Sequence, residues 1–200
     1  MGRQTTSSTV SLTIDQCKSM MARMKENDRA LFISILLCGA QARTWTWGDV
    51  VEKFLEMPMA AYQAFRDLAV SRKLTLFPFN YAGFTSAHWV SGAKLDSPIF
   101  TSPSSKRKAW TTQEVSRRFN RYGRMIGVDG VSLRVAANTH KSLLAGFGSA
   151  DEAAEVLGLS PNLTLTPALS LPGRGGTRGS RDERLHGIGR RGSRRMSGSA

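Results

Sequence analysis

NDRALFISILLCGAQARTWTWGDV, Asn27 to Val50, is the stretch that decides what fold the chain can adopt. From Ala30 to Ala40 it is the longest apolar run in the sequence, and Leu31, Ile35 and Leu36 belong to a helix that would be buried nearly all round. Gly39 marks its end, because glycine closes a helix without steric cost. The run is well short of the ~20 residues that cross a bilayer. Gln41 and Arg43 follow it directly. It is therefore expected to be a core helix of a water-soluble domain, with Asn27 or Asp28 as its N-cap.

Upstream, residues 1–12 are polar and rich in Ser and Thr, and are expected to be a flexible N-terminus. They include no apolar stretch of the kind a secretory signal needs. Thr13 with Gln16 spells a capping box, and Cys17, Met20, Met21 and Met24 recur at i, i+3, i+4 and i+7. A helix from Ile14 to about Lys25 with that face in the core follows. Cys17 and Cys38 both sit at apolar helical spacings, which predicts reduced, buried thiols in an intracellular protein.

Downstream, a helix is expected after Pro58, with Met59, Tyr62, Phe65 and Ala69 on one stripe. From Lys73 to Ser102 the pattern changes to loop with short strand pieces. Lys106, Arg107 and Lys108 lead into Trp110, Thr111 and Glu114, a second capping box. The helix it opens has Val115, Phe119, Tyr122 and Ile126 on its apolar face and Arg117, Arg121 and Arg124 on another. Leu133 to Ala145 reads as a further helix stopped by Gly146, and Ser149 with Glu152 caps a short one ending at Gly158. The fold class is mainly α with a few short strands (α+β), over residues 13–161.

Of the 200 residues 40% are hydrophobic, which suits one ordinary globular domain. The formal net charge is +13. From Arg174 onward there are eight Arg against Asp182 and Glu183, so six of these charges lie in the tail and seven on the body. Residues 162–200 hold too little apolar content to offset the entropy of ordering, and read as a disordered basic tail that looks like translated intergenic repeat DNA. An excess of seven on the body favours a polyanionic partner through counterion release. No Cys/His cluster has zinc spacing, and no phosphate loop follows a strand, so no metal and no cofactor is expected.

Three stretches, Asn27 to Val50, AWTTQEVSRRFNRYGRMIGV (Ala109 to Val128) and VSLRVAANTHKSLLAGFGSADEAAEVLGLS (Val131 to Ser160), resemble in this order the catalytic domain of tyrosine recombinases, the phage integrase family. The first is similar to that family's apolar helix, Gly turn and Trp-x-Asp, and the last to its Leu-Arg helix, Gly and closing Leu-Gly. The family's members also carry a separate DNA-clamping N-terminal domain, which this chain is expected to lack.

The resemblance implies a Tyr that attacks a DNA phosphate, two Arg that neutralise its oxygens, and Lys and His groups that move protons. The second Arg falls on Arg134, and its His, three residues earlier, on Val131, which cannot carry a proton. The first Arg falls on Gln41, with Arg43 close enough for a shifted turn to present it. The position after Leu-Gly falls on Leu159, and no Tyr occurs after Tyr122. Only Val50 to Met57 fills the place of the family's Lys-bearing hairpin, so the hairpin is expected to be deleted, and Lys53 to be a surface charge. His140 lies beyond Arg134 and reads as a helix-surface or partly buried residue.

What the resemblance leaves is a recombinase-like protein of the cytoplasm or nucleoid that binds double-stranded DNA, with other such protomers on the same DNA, and does not cut it. Arg134 and Arg43 would be remnant phosphate contacts. Lys106, Arg107, Lys108, Arg117, Arg121, Arg124 and Lys141 would face DNA. Two other functions fit the same residues: a recombinase with relocated groups using Tyr62, Tyr81 or Tyr122, and a small helical protein whose basic surface meets an acidic protein.

Overall fold

The computed structural model describes residues 10–76, 90–91, 94–102 and 105–159, and the side chains of all of these except 75–76, 90–91, 102 and 105–107. The chain divides into two units, residues 1–162 and 163–200. The second, with the expected tail, lies outside the described residues.

The described part of the first unit is mainly helical. In chain order it holds α1 (Ile14–Met21), α2 (Glu26–Cys38), a 3-10 turn (Ala40–Thr44), α3 (Trp47–Glu52), a second 3-10 turn (Phe54–Glu56) and α4 (Met59–Ser71). Strands β1 (Thr75–Leu76), β2 (Val90–Ser91), β3 (Thr101–Ser102) and β4 (Ser105–Ala109) come next, then α5 (Thr112–Met125), α6 (Leu133–Phe147) and α7 (Ala150–Val156). β1 pairs antiparallel with β2, and β3 with β4. The basic run Lys106–Lys108 thus lies on a strand, where the sequence suggested only a lead-in to α5.

α2 is the hub. Ala30, Leu31, Phe32, Ile33, Ile35, Leu36 and Leu37 are all buried, because α4, α6 and α7 pack around it and α5 closes the remaining side. Phe32 meets Phe119 of α5 edge-on with ring centroids 5.1 Å apart. Each such side chain contributes roughly 1.5–3 kcal/mol on burial. α1 and the turn that follows it close the core with Cys17, Met20, Met21 and Met24, all four buried as their spacing predicts. Its helix ends at Met21, earlier than Lys25, where the chain turns toward α2.

Sequence and structure part at several boundaries. Neither Asn27 nor Asp28 caps α2; its N-cap is Lys25, with no side-chain cap. Asn27 instead accepts a hydrogen bond from Arg72 at 2.8 Å, and Asp28 is buried against α5. Gly146 does not stop α6, which runs to Phe147 because that ring packs on the core; Gly148, at φ 78°, supplies the left-handed stop. Leu12, which the sequence placed in a flexible N-terminus, is buried, and its N–H donates to Thr139 Oγ1 at 2.9 Å. α3 follows a third capping box, Thr46 with Asp49, that periodicity had not flagged.

Between α3 and α4 the chain makes only the turn Phe54–Glu56 and no strand. The segment leading into α3 is held from the other side: Ile99 N–H donates to Trp45 O at 3.0 Å and Gly48 N–H to Leu95 O at 2.9 Å. Among the described residues no helix is long and apolar enough to cross a membrane.

Candidate nucleic-acid interface

α5 has two faces with opposite chemistry. Its inner face carries Val115, Phe119 and Tyr122 into the core. On that same side Arg118 reaches back to α2, where its Nη1 lies 3.0 Å from Asp28 Oδ1. Asp28 Oδ2 accepts the Tyr122 hydroxyl at 2.8 Å, and Tyr122 in turn accepts the Lys25 N–H at 3.3 Å. The Arg118 guanidinium lies 4.1 Å from the centre of the Trp110 ring, a cation–π contact. Asp28 is thus a buried carboxylate satisfied from two sides, which is what makes its burial tolerable. The sequence carried a faint sign of this: a lone acid entering an apolar run, and an Arg and a Tyr four apart on one helix.

The outer face presents Arg117, Arg121 and Arg124, all exposed as the i, i+4, i+7 spacing requires. They are not equivalent. Arg124 Nε stands 3.3 Å from Asp129 Oδ1, an exposed pair worth little. Arg117 and Arg121 have no carboxylate partner among the described residues. The loop after α5 is tied to the same helix, with Gly130 N–H donating to Asn120 Oδ1 at 3.0 Å and Leu133 N–H to Ser116 Oγ at 3.1 Å. Gly123 lets that loop approach: a Cβ there would come within 2.5 Å of Val128 O and of Val131 Cγ2.

The ties fix where α6 begins. Arg117 and Arg134 each adjoin one end of the Ser116–Leu133 hydrogen bond, and both are exposed. Lys141, seven residues further along α6 and so on the same stripe, is exposed too, as is Lys108 at the end of β4. The side chains of Lys106 and Arg107 lie outside the described residues.

The remaining positions singled out by the resemblance are engaged elsewhere. Arg43 is half-buried; its Nη1 donates to the Trp110 carbonyl, and its Nε is enclosed without a hydrogen-bond partner. It belongs to the packing around Trp110 and does not join the exposed cations. Gln41 donates its amide to Cys38 O, closing the end of α2. Val131 is 1% exposed and packs beside Gly123, so a core contact occupies the place where the family would have its His. His140 Nδ1 lies 2.9 Å from Leu36 O, so this nitrogen is the protonated one and the ring caps α2. Lys53 Nζ is 3.9 Å from Asp49 Oδ1 at the surface. Leu159 packs on the core edge, its N–H on Ala154 O at 2.8 Å.

Tyr62 and Tyr122 are both buried, and burial pushes both phenols above their usual pKa. Neither presents an ionisable oxygen to a phosphate outside. Tyr81 lies outside the described residues. Cys17 is buried as the sequence predicted, but Cys38 at the end of α2 is only partly buried against the core; burial raises both thiols to about 12, so neither is nucleophilic near neutrality. Arg72, which no motif of the sequence singled out, is another structural cation: it donates to Ile99 O and Asn27 Oδ1, both at 2.8 Å. No group of three or more His, Cys, Asp or Glu among the described residues is arranged to hold a metal.

No family model, no curated protein and no solved structure matches the chain.

Proposed function

We propose that this domain binds double-stranded DNA through its phosphates, as a relative of tyrosine recombinases that does not cut DNA. The observation that carries the reading is the junction of α5 and α6. There Arg117 and Arg134 stand exposed on either side of one hydrogen bond, with Arg121 and Lys141 continuing along the two helices. Cations without carboxylate partners gain most from neutralising phosphates, because no internal pair is broken. Contacts of this kind position a protein on a duplex and carry no sequence information themselves. Non-specific affinity of ~10⁻⁴ to 10⁻⁶ M at physiological salt is expected.

Lack of cleavage follows from what the phosphate would meet. Val131 supplies no proton, His140 Nδ1 is bound to a helix end, and Tyr62 and Tyr122 are buried. A concerted site that lacks its nucleophile and its acid loses orders of magnitude in rate.

Two measurements on the full chain test the proposal. Arg134→Ala should weaken duplex binding several-fold in fluorescence anisotropy at low salt. A nicked suicide duplex that traps covalent recombinase intermediates should give no protein–DNA adduct in denaturing electrophoresis. Binding that is indifferent to Arg134, or an adduct at any Tyr, would refute the reading.

A further inference from the structure

The polar side chains of α6 divide by the side of the helix they occupy. Toward the core, Thr139 Oγ1 donates to Val135 O at 2.8 Å and accepts the Leu12 N–H at 2.9 Å, and His140 Nδ1 lies 2.9 Å from Leu36 O. Asn138, just before them, lies on the outer stripe between Arg134 and Lys141. It is partly exposed, and its amide has no hydrogen-bond partner among the described residues. Asparagine is disfavoured in a helix interior relative to alanine, because its amide competes for the backbone. The fold gains nothing from it here.

Its surroundings select what the amide can meet. α6 carries no Asp or Glu from Leu133 to Phe147, and neither Arg134 nor Lys141 has a carboxylate partner among the described residues. At ~1.5 Å per residue the two cations stand roughly 10 Å apart along the helix, close to the width of a major groove, about 12 Å, so they can hold phosphates of the two strands that border it. Asn138, between them, is then directed at the base edges. An amide offers a donor and an acceptor side by side, and in the major groove adenine is the base that presents the matching pair, its N6 donor and N7 acceptor. We propose that α6 lies in the major groove of its target duplex and that Asn138 reads an adenine there. This rests on the phosphate-binding reading above and adds to it a sequence preference, which the cations alone do not supply.

The test is selection of duplexes from a fully randomised pool by the full chain, in about 0.15 M salt so that non-specific attraction is weakened. Wild type should enrich a sequence in which one position is fixed as adenine, and Asn138→Ala should lose the preference at that position while still binding the pool. Replacing that adenine by 7-deazaadenine, which lacks only the N7 acceptor, should weaken wild-type binding about fivefold or more in fluorescence anisotropy and leave Asn138→Ala unaffected. A uniform loss of affinity in Asn138→Ala with the adenine preference intact would mean a phosphate contact or a structural role, and overturns the proposal. So does a wild type that binds the pool without enriching any sequence, an outcome that leaves the phosphate reading standing. A wild type that binds no duplex even at low salt overturns both.

Discussion

Arg117 and Arg118 are neighbours on one helix, and the two faces they serve could hardly differ more. Arg118 is paired with Asp28 and lies over the Trp110 ring, and its charge joins α5 to α2. Arg117 stands in solvent beside the Ser116–Leu133 tie, with no carboxylate partner among the described residues. Same residue type, same helix, one position apart: the neighbours decide whether a cation holds the fold together or remains available to a partner. Arg43 and Arg72 fall with Arg118, and Arg121, Arg134, Lys108 and Lys141 with Arg117. Net charge alone overstates the binding surface, since part of it is already engaged inside.

The inner side of this comparison should yield most strongly to alkali. An unfolded thiol ionises from about pH 9, whereas the folded Cys17 and Cys38 hold their protons to about 12. The native state thus binds protons that the unfolded state has lost. Stability is complete below pH 9 and falls as pH rises between 9 and 12, by on the order of 4 kcal/mol for fully buried Cys17 alone (three units at ~1.36 each). Tyr62 and Tyr122, also raised by burial, act in the same direction from about pH 10. Urea denaturation at several pH values should show this decline. A midpoint that holds steady to pH 11 would mean that Cys17 is not in the core.

Arg118→Ala sharpens the comparison directly. It leaves Asp28, 5% exposed at its side chain, with only the Tyr122 hydroxyl, and should cost about 3 kcal/mol in urea denaturation. Arg117→Ala should stay within about 0.5 kcal/mol of wild type. Equal losses would erase the distinction between the two faces. A smaller effect is expected from Gly123→Ala, whose new methyl meets the Val128 carbonyl and Val131; overpacking there should cost about 1–3 kcal/mol and loosen the α5–α6 junction.

Much of the helical frame was legible in the sequence. Thr13 with Gln16 and Thr111 with Glu114 form the capping boxes their spacing announced, and Gly39 closes α2 at φ 91°. Local signals of this kind survive because they depend on four or five adjacent residues. What the sequence hid depends on residues far apart. Asp28 has the composition of a helix cap, yet residues 90 positions away draw it into the core. Gly146 has the composition of a helix stop, yet the packing of Phe147 carries the helix past it. Arg43 looked available for a phosphate and is instead folded onto Trp110. The exposed strip Arg117–Arg121–Arg124 was readable from periodicity, but not its approach to Arg134, which rests on one tertiary hydrogen bond.

The central claim is that the free cations of the α5–α6 junction contact DNA phosphates. It is tested most directly by the salt dependence of duplex binding, comparing the full chain with Arg117→Ala/Arg121→Ala/Arg134→Ala by fluorescence anisotropy. Because both proteins carry the same eight tail arginines, the difference in slope reports the junction alone. Three lost phosphate contacts should reduce the slope of log K against log salt by about 2.7, at roughly 0.9 each. An unchanged slope, with the variant still folded, would contradict the account and leave the binding to the tail.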